Sequence, residues 1–325
     1  MIISGANILF EESRRRMLTY TEVELDMKNS DVWNDYVKKG INGSFYQSYS
    51  NIKAQENFTE RGIGVVIKNE NEIVIVATCF LYQFGISIPY GPVFLVMDES
   101  ALLFLFHNLI EKYNKAVYFS LFSEICDEHI NIFEKFKKYG EYHTIILPIK
   151  PSHGEQLKLM NKNRRRIVKR VLNNSKVLEI EKGLHNLKEF SLFYEEMQEQ
   201  RGELSKRKDL NELLNYENSE YVELYVCRHQ GRIISGILGF NFGNVFESRY
   251  NANDKKFNFL NAGTYLDIWL INDLRERKIK YYDFAGYEMN AKPGTYNWGI
   301  NYYKYSYGGA IRQVNMYKIK KVLKM

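Results

Sequence analysis

One pattern occurs twice along this chain, and it limits the possible folds more than any feature of composition. In the first copy, 63-IGVVIKNENEIVIVATCFLY-82 is two apolar runs around an Asn-Glu-Asn turn, which predicts a hairpin. A Pro-Gly stretch follows. Then 101-ALLFLFHNLIEKYNK-115 places Leu102, Leu105, Phe106 and Leu109 at helical spacing. A short strand, 116-AVYFSLF-122, comes next. The segment 130-INIFEKFKKYG-140 reads as a second amphipathic helix closed by Gly140, and 142-YHTIILPI-149 as a last strand. In the second copy, 221-YVELYVCRHQGRIISGILGF-240 is a hairpin around His-Gln-Gly, extended by 245-VFESRY-250. A helix over 264-TYLDIWLINDLRERK-278 carries Leu266, Trp269, Leu270 and Leu274 on one face, and 279-IKYYDFAG-286 is the short strand again. Residues 302–307 read as a further strand. Alternation puts Tyr302, Lys304 and Ser306 on one side of it, and Tyr303, Tyr305 and Tyr307 on the other.

Hairpin, helix, strand, found twice, is a duplicated α+β unit. The 325 residues suit two domains of roughly 150 residues each. The junction is expected near Lys150-Pro151-Ser152, where an apolar strand gives way to Pro, Ser and Gly. This predicts a first domain over 17–150 and a second over 151–311. The basic tail 312–325 is expected to pack back on the first domain rather than to touch anionic lipid. A crossover helix with strands on either side implies a mixed sheet, partly splayed near its centre. That arrangement resembles the Gcn5-related acetyltransferase (GNAT) fold, so the expectation is two tandem GNAT-like domains. Fold alone says little about chemistry.

Several classes drop out. A hydrophobic content of 45%, with 15% aromatics, means a packed core. Cys79, Cys126 and Cys227 form neither a disulfide framework nor a CxxC pair, and read as buried thiols of a reducing cytoplasm. No metal site is expected, because the histidines lack HxH or HExxH spacing. The segment Ile73 to Met97 is uncharged and nearly long enough to span a bilayer. Gly85, Pro89, Gly91 and Pro92 interrupt it, so it reads as two buried strands and a turn. At the N-terminus the apolar Ile8-Leu9-Phe10 precedes Arg14-Arg15-Arg16, the reverse of a secretory signal, and Met17 reads as an alternative start. There is no Walker loop and no Ser/His/Asp or Cys/His set. In 236-GILGFNFG-243 the glycines have the wrong spacing for a dinucleotide motif. A coenzyme-A-dependent acetyltransferase would carry a glycine-rich turn before the helix at Thr264, and 257-FNFLNAGT-264 has one glycine.

A basic segment stands out. Lys162, Arg164, Arg165, Arg166, Lys169 and Arg170 lie within nine residues, and no Asp or Glu occurs between Glu155 and Glu179. With Met160, Ile167, Val168 and Val171 turned inward, most of these cations share an outward helix face. Such a face is either simply solvated or meets phosphate, for which the guanidinium fork is suited. The phosphates could belong to tRNA, to a nucleotide-linked acceptor or to a lipid pyrophosphate.

Five stretches, 46-YQSYSNIK-53, 90-YGPV-93, 161-NKNRRRIVKR-170, 281-YYDFAG-286 and 302-YYKYSYGG-309, follow the order and spacing of motifs in the Fem aminoacyltransferases. The chain resembles that family from about Val32 to Arg312. Fem proteins are tandem acetyltransferase-like domains that build interpeptide bridges in peptidoglycan. The resemblance implies transfer of an amino acid from aminoacyl-tRNA to an amine of a peptidoglycan or other cell-envelope precursor, with no further cofactor. It also implies a cytoplasmic protein whose nucleotide- or lipid-linked acceptor brings it near the inner face of the membrane. By the same resemblance Arg164, Arg165, Arg166, Lys169 and Arg170 meet phosphate or tRNA. Lys53 and Arg207, otherwise ordinary surface cations, hold the acceptor's phosphates, and Tyr250 and Tyr303 touch substrate. Lys304 falls where the family carries a lysine near the donor end of the site, and is expected to stabilise the carbonyl oxyanion or bind a terminal phosphate. Asp283, at a strand end beside a glycine turn, is placed either as a general base or as structural support, and support is favoured. Two other readings stand: an acyl-coenzyme-A-dependent N-acyltransferase acting on an amino sugar, and a non-catalytic protein that binds RNA or envelope precursors.

Overall fold

The structure is a computed structural model and describes residues 17–173, 175–200 and 214–320. The chain divides into two units, Met1–Tyr142 with Gln313–Met325, and His143–Arg312.

In the first unit, β1 (Leu18–Val23), α1 (Ser30–Lys39) and α2 (Tyr49–Gln55) precede the hairpin of β2 (Arg61–Asn69) and β3 (Glu72–Tyr82). Then come β4 (Gly85–Ile88), β5 (Val93–Phe94), α3 (Glu99–Tyr113), β6 (Val117–Phe122) and the short α4 (Ser123–Glu128) and α5 (Ile130–Phe133). Strand β7 (Lys137–Pro148) runs out of this unit into the second. The apolar face foreseen for α3 is buried: Leu102, Leu105 and Leu109 are fully enclosed and Phe106 nearly so. Asp98 caps that helix by accepting from the backbone N–H groups of Ser100 and Ala101. The uncharged segment from Ile73 to Met97 forms most of β3, with β4 and β5, and among the described residues no helix is long and apolar enough to cross a membrane.

The second unit adds α6 (His153–Leu159), α7 (Lys162–Asn173), β8 (Glu179–Lys182) and α8 (Leu187–Glu199). After these come β9 (Val222–His229), β10 (Arg232–Phe242), β11 (Val245–Asn253), α9 (Ala262–Glu276), β12 (Tyr281–Tyr287) and α10 (Tyr296–Tyr305). Strand order here is β7-β12-β11-β10-β9-β8. Leu266, Leu270, Ile271 and Leu274 bury the inner face of α9 in a core shared with Tyr225, Ile237 and Phe246. The last strand, β13 (Ala310–Ile319), pairs with β6, so the first unit runs β1-β2-β3-β4-β6-β13. Each unit is therefore an α+β, GNAT-like mixed sheet, and the first is completed by a strand that follows the whole second unit in sequence.

Two irregularities prepare the site. β11 and β12 are parallel and in register only from Val245↔Tyr281 to Glu247↔Asp283. Past that point each strand bulges. Leu238 pairs with Tyr250 and Gly239 with Ser248, so Arg249 is an extra residue on β11. Asp283 pairs with Ile146 and Gly286 with Thr144, so Phe284 and Ala285 together face Ile145, with Ala285 at φ 54°.

Three sequence expectations need correction. The domain division falls at Tyr142–His143, inside β7, not at Lys150–Pro151, because residues 143–148 pair with β12. The helix expected over 130–140 is helical only to Phe133; Lys137 onward is strand. The strand expected over 302–307 belongs instead to helix α10 and the turn after it. Thr295 starts this helix by accepting from the Trp298 N–H at 3.4 Å, and Gly308 (φ 88°) turns the chain away after it. A Cβ on Gly308 would sit 2.2 Å from the Leu159 carbonyl oxygen, so no other residue fits there.

Candidate active site

A cleft of about 780 Å³ lies in the second unit where β11 and β12 part. Arg249, Asn251 and Asn253 line it from β11, Gly263 and Asp267 from α9, and Tyr282 and Phe284 from β12. Helix α10 supplies Tyr296, Gly299, Ile300 and Tyr303, the i, i+3, i+4, i+7 stripe of one face, together with Lys304.

At the inner end is Asp267, a carboxylate in an otherwise apolar helix face. Its Oδ1 accepts from the Tyr282 hydroxyl at 2.9 Å, and its Oδ2 from Tyr303 at 2.5 Å and Tyr307 at 3.0 Å. Burial pushes the Asp267 carboxyl up from the ordinary range, while the three tyrosines and the nearby Arg164 pull the other way. Arg164 closes this cluster from α7. Its guanidinium lies 4.2 Å from the Tyr303 ring centre and 4.6 Å from that of Tyr307. It donates to Ser306 Oγ at 2.8 Å and to Thr264 Oγ1 at 2.7 Å. Tyr282 and Tyr307 are held neutral, their pKa values raised first by burial and then by the Asp267 charge.

Lys304 is held by the bulge of β12. Its Nζ donates to the carbonyl oxygens of Ala285 at 3.0 Å and Gly286 at 2.7 Å. An ammonium has three N–H donors, so one remains for the cleft. Burial lowers the Lys304 pKa to about 8, against the opposing pull of Asp283 and Asp267. Asp283 lies behind the bulge. Its Oδ1 accepts from the Thr144 hydroxyl and from the Ala285 N–H at 2.7 Å. Burial raises its pKa to about 6; Thr144, the Ala285 N–H, Lys304 and Arg312 hold it from rising further.

The residues expected from sequence are distributed as follows. Lys304 and Tyr303 both line the cleft, as neighbours on one helix face rather than on opposite sides of a strand. Asp283 is 4% exposed and supports the wall without lining it. Tyr250 is buried against the edge of the Tyr194 ring, 5.6 Å between centres, and is not a lining residue; the bulge at Arg249 puts that side chain in the cleft instead. Arg164 leaves the basic outer face assigned to it: it is 5% exposed and structural, whereas Arg166, Lys169 and Arg170 are exposed and Arg165 is half-buried. Lys53 belongs to the first unit, on α2, exposed and paired with Glu56 at 2.8 Å. Arg207 lies outside the described residues. Asp267, Arg249 and Thr144 were missed. Only Asp267 had a visible signal, a lone carboxylate among the apolar positions of 264-TYLDIWLI-271.

Comparison with known proteins agrees with this architecture. The family model of the acetyltransferase (GNAT) domain matches residues 162–305, the stretch that contains the whole cleft. Among solved structures, FemX superposes with a TM-score of 0.77 at 14% identity, over 90% of this chain and 96% of its own. A conserved protein of unknown function from Bacteroides thetaiotaomicron superposes with 0.70 at 14% identity, over 92% and 99%. A tandem GNAT protein from the clavulanic acid biosynthesis pathway gives 0.53 at 9% identity, over 93% and 98%. No curated protein sequence matches. At these identities the likeness speaks for fold: the chain is built of tandem GNAT-like units with the fold seen in FemX, and its second unit is the part that matches the acetyltransferase (GNAT) domain model.

Proposed function

We propose that the chain is a cytoplasmic aminoacyltransferase that takes an aminoacyl group from aminoacyl-tRNA and joins it to an amine of a peptidoglycan or other cell-envelope precursor. The observation that carries this reading is Lys304, an ammonium anchored by two carbonyls of a strand bulge with one donor left for the cleft. The neutral acceptor amine attacks the ester carbonyl. As the C–N bond forms, the carbonyl oxygen gains negative charge, and the remaining Lys304 N–H is aimed at it. When the tetrahedral intermediate collapses, the ester C–O bond breaks, the electron pair leaves on the ribose oxygen, and that oxygen ends with the proton lost by the amine. Ester-to-amide exchange runs downhill, so positioning and electrostatics suffice without a covalent enzyme intermediate. Asp283 is a positioning residue here: it holds the Ala285 N–H, and the bulge it fixes presents the carbonyls that hold Lys304. The likeness to FemX supports the aminoacyl reading.

One observation favours a coenzyme A thioester as donor instead. The 15-residue helix α9 opens its N-terminus on the cleft at Gly263, where a pyrophosphate could meet backbone N–H groups. Against it, the segment has one glycine, and the Asn253 side chain fills the space where a Cβ on that glycine would lie.

Donor assays separate the readings. Transfer from charged tRNA to envelope-precursor amines, abolished by RNase, is the expected result. RNase-resistant transfer from acyl-coenzyme A would replace the aminoacyl reading with the amino-sugar acyltransferase. Absence of turnover with either donor, alongside salt-sensitive RNA binding, would make the protein a non-catalytic binder.

A further inference from the structure

Helix α10 has a second face that the chemistry above does not use. Trp298, Tyr302 and Tyr305 lie on the side away from the cleft and are 40%, 44% and 56% exposed. Trp298 and Tyr302, one turn apart, stack with ring centres 5.6 Å apart and only 16° between planes. The pair adjoins the basic helix: Asn163 of α7 donates to the Tyr302 hydroxyl at 3.4 Å, and the Asn161 N–H to the Ser306 carbonyl at 3.0 Å. At 3.6 residues per turn, Asn163, Arg166 and Arg170 fall in one stripe, flanked by Lys162 and Lys169. These four cations are exposed, and none forms an ion pair among the described residues. A line of unpaired positive charge thus begins at an exposed aromatic stack.

We propose that the Trp298–Tyr302 stack and the Arg166–Arg170 stripe together form a docking surface for single-stranded RNA, bases lying on the rings and phosphates on the guanidinium groups. Ring stacking is tolerant of base identity, and guanidinium is matched to phosphate. The proposal rests on the aminoacyl-tRNA reading and adds the path of the strand. Lys304 sits on the cleft side of the same helix, so RNA held on the outer face ends about one helix diameter, ~10 Å, from the cleft. An anionic membrane would also attract the cations. However, the outer face of α10 offers no aliphatic side chain to insert, only the rings of Trp298, Tyr302 and Tyr305.

The test uses the full chain and three probes: fluorescein-labelled single-stranded RNA ending in CCA, a blunt duplex RNA of equal length, and phosphatidylglycerol vesicles. Trp298→Ala is expected to weaken single-strand binding about tenfold, with less effect on the duplex and none on vesicles. Arg166→Gln with Arg170→Gln is expected to weaken both RNAs and flatten the salt dependence by ~0.7 in log–log slope per lost contact. Unchanged melting of these surface variants shows the effect is local. Wild-type RNA affinity in Trp298→Ala and Tyr302→Ala, or a parallel loss of vesicle binding, would overturn the proposal. The two readings fail separately. If RNA binding needs the stack but no aminoacyl transfer occurs, the surface stands and the transferase reading falls. If transfer occurs and Trp298→Ala leaves the KM for charged tRNA unchanged, the surface falls and the transferase reading stands.

Discussion

The two units share a plan and differ at one place. In both, a parallel strand pair is held by three registered residues: Ile86↔Val117 to Ile88↔Phe119 in the first, Val245↔Tyr281 to Glu247↔Asp283 in the second. Beyond Ile88 the first unit gathers aromatic rings. Tyr90 donates its N–H to Ser120 Oγ at 2.8 Å, stacks on Tyr46 at 4.8 Å and meets Phe122 and Tyr142 at 5.8 Å. Gln47, fully buried, accepts from the Thr78 N–H at 2.8 Å and donates to the Pro89 carbonyl at 2.7 Å. Beyond Glu247 the second unit does the opposite. Both strands bulge, polar residues line the opening, and a lysine is tethered at its wall. The two copies thus line the same splay differently: aromatic rings and a buried glutamine gather there in the first, and a polar cleft opens there in the second.

Substitutions can break this division of labour or sharpen it. The largest effect is expected at Lys304. Lys304→Ala should lower kcat about a hundredfold to a thousandfold, the range for loss of one oxyanion donor, while thermal unfolding stays close to wild type. Full turnover in that variant would remove the chemistry from the open copy. Gln47→Ala is the mirror experiment in the packed copy. It should cost about 2 kcal/mol in urea unfolding, from the Thr78 and Pro89 groups left unpaired, with turnover preserved. A variant that unfolds like wild type but loses turnover would show that the first unit does more than pack. A subtler effect lies in the pH profile. Asp283 loses its charge as pH falls through about 6, and Lys304 loses its charge as pH rises through about 8, so kcat/KM should be bell-shaped between those limbs. Asp283→Asn should move the alkaline limb to lower pH, since the carboxylate favours the charged lysine. The smallest change is expected of Thr144→Val, which removes a hydrogen bond that holds the Asp283 pKa down and should move only the acid limb, upward.

The hairpins and the helices α3 and α9 were legible because local periodicity and burial agree there. Helix α10 was not. Tyrosine-rich runs favour strands on average, yet here the decision is tertiary. Thr295 caps the start, and Tyr303 of the helix, with Tyr307 in the turn after it, meets Arg164 and Asp267. The inward turn of Arg164 was hidden for the same reason. Its partners Thr264 and Ser306 come from distant segments, and nothing in the run NKNRRRIVKR marks one arginine as different. The position of Lys304 came from the family resemblance; its anchoring depends on the bulge at Ala285, which no local pattern announces.

The late closing strand of the first unit bears on how the protein is made. β6 finds its outer partner only in β13, which follows the entire second unit, while the far half of β7 waits for β12. As the chain leaves the ribosome, the first unit therefore emerges with an unpaired, hydrogen-bond-hungry edge that persists until the second has been translated. The second unit is one contiguous stretch, whereas the first is not: it needs the strand that follows residue 312. The packed, apolar first copy is accordingly where a nascent chain would most need a chaperone.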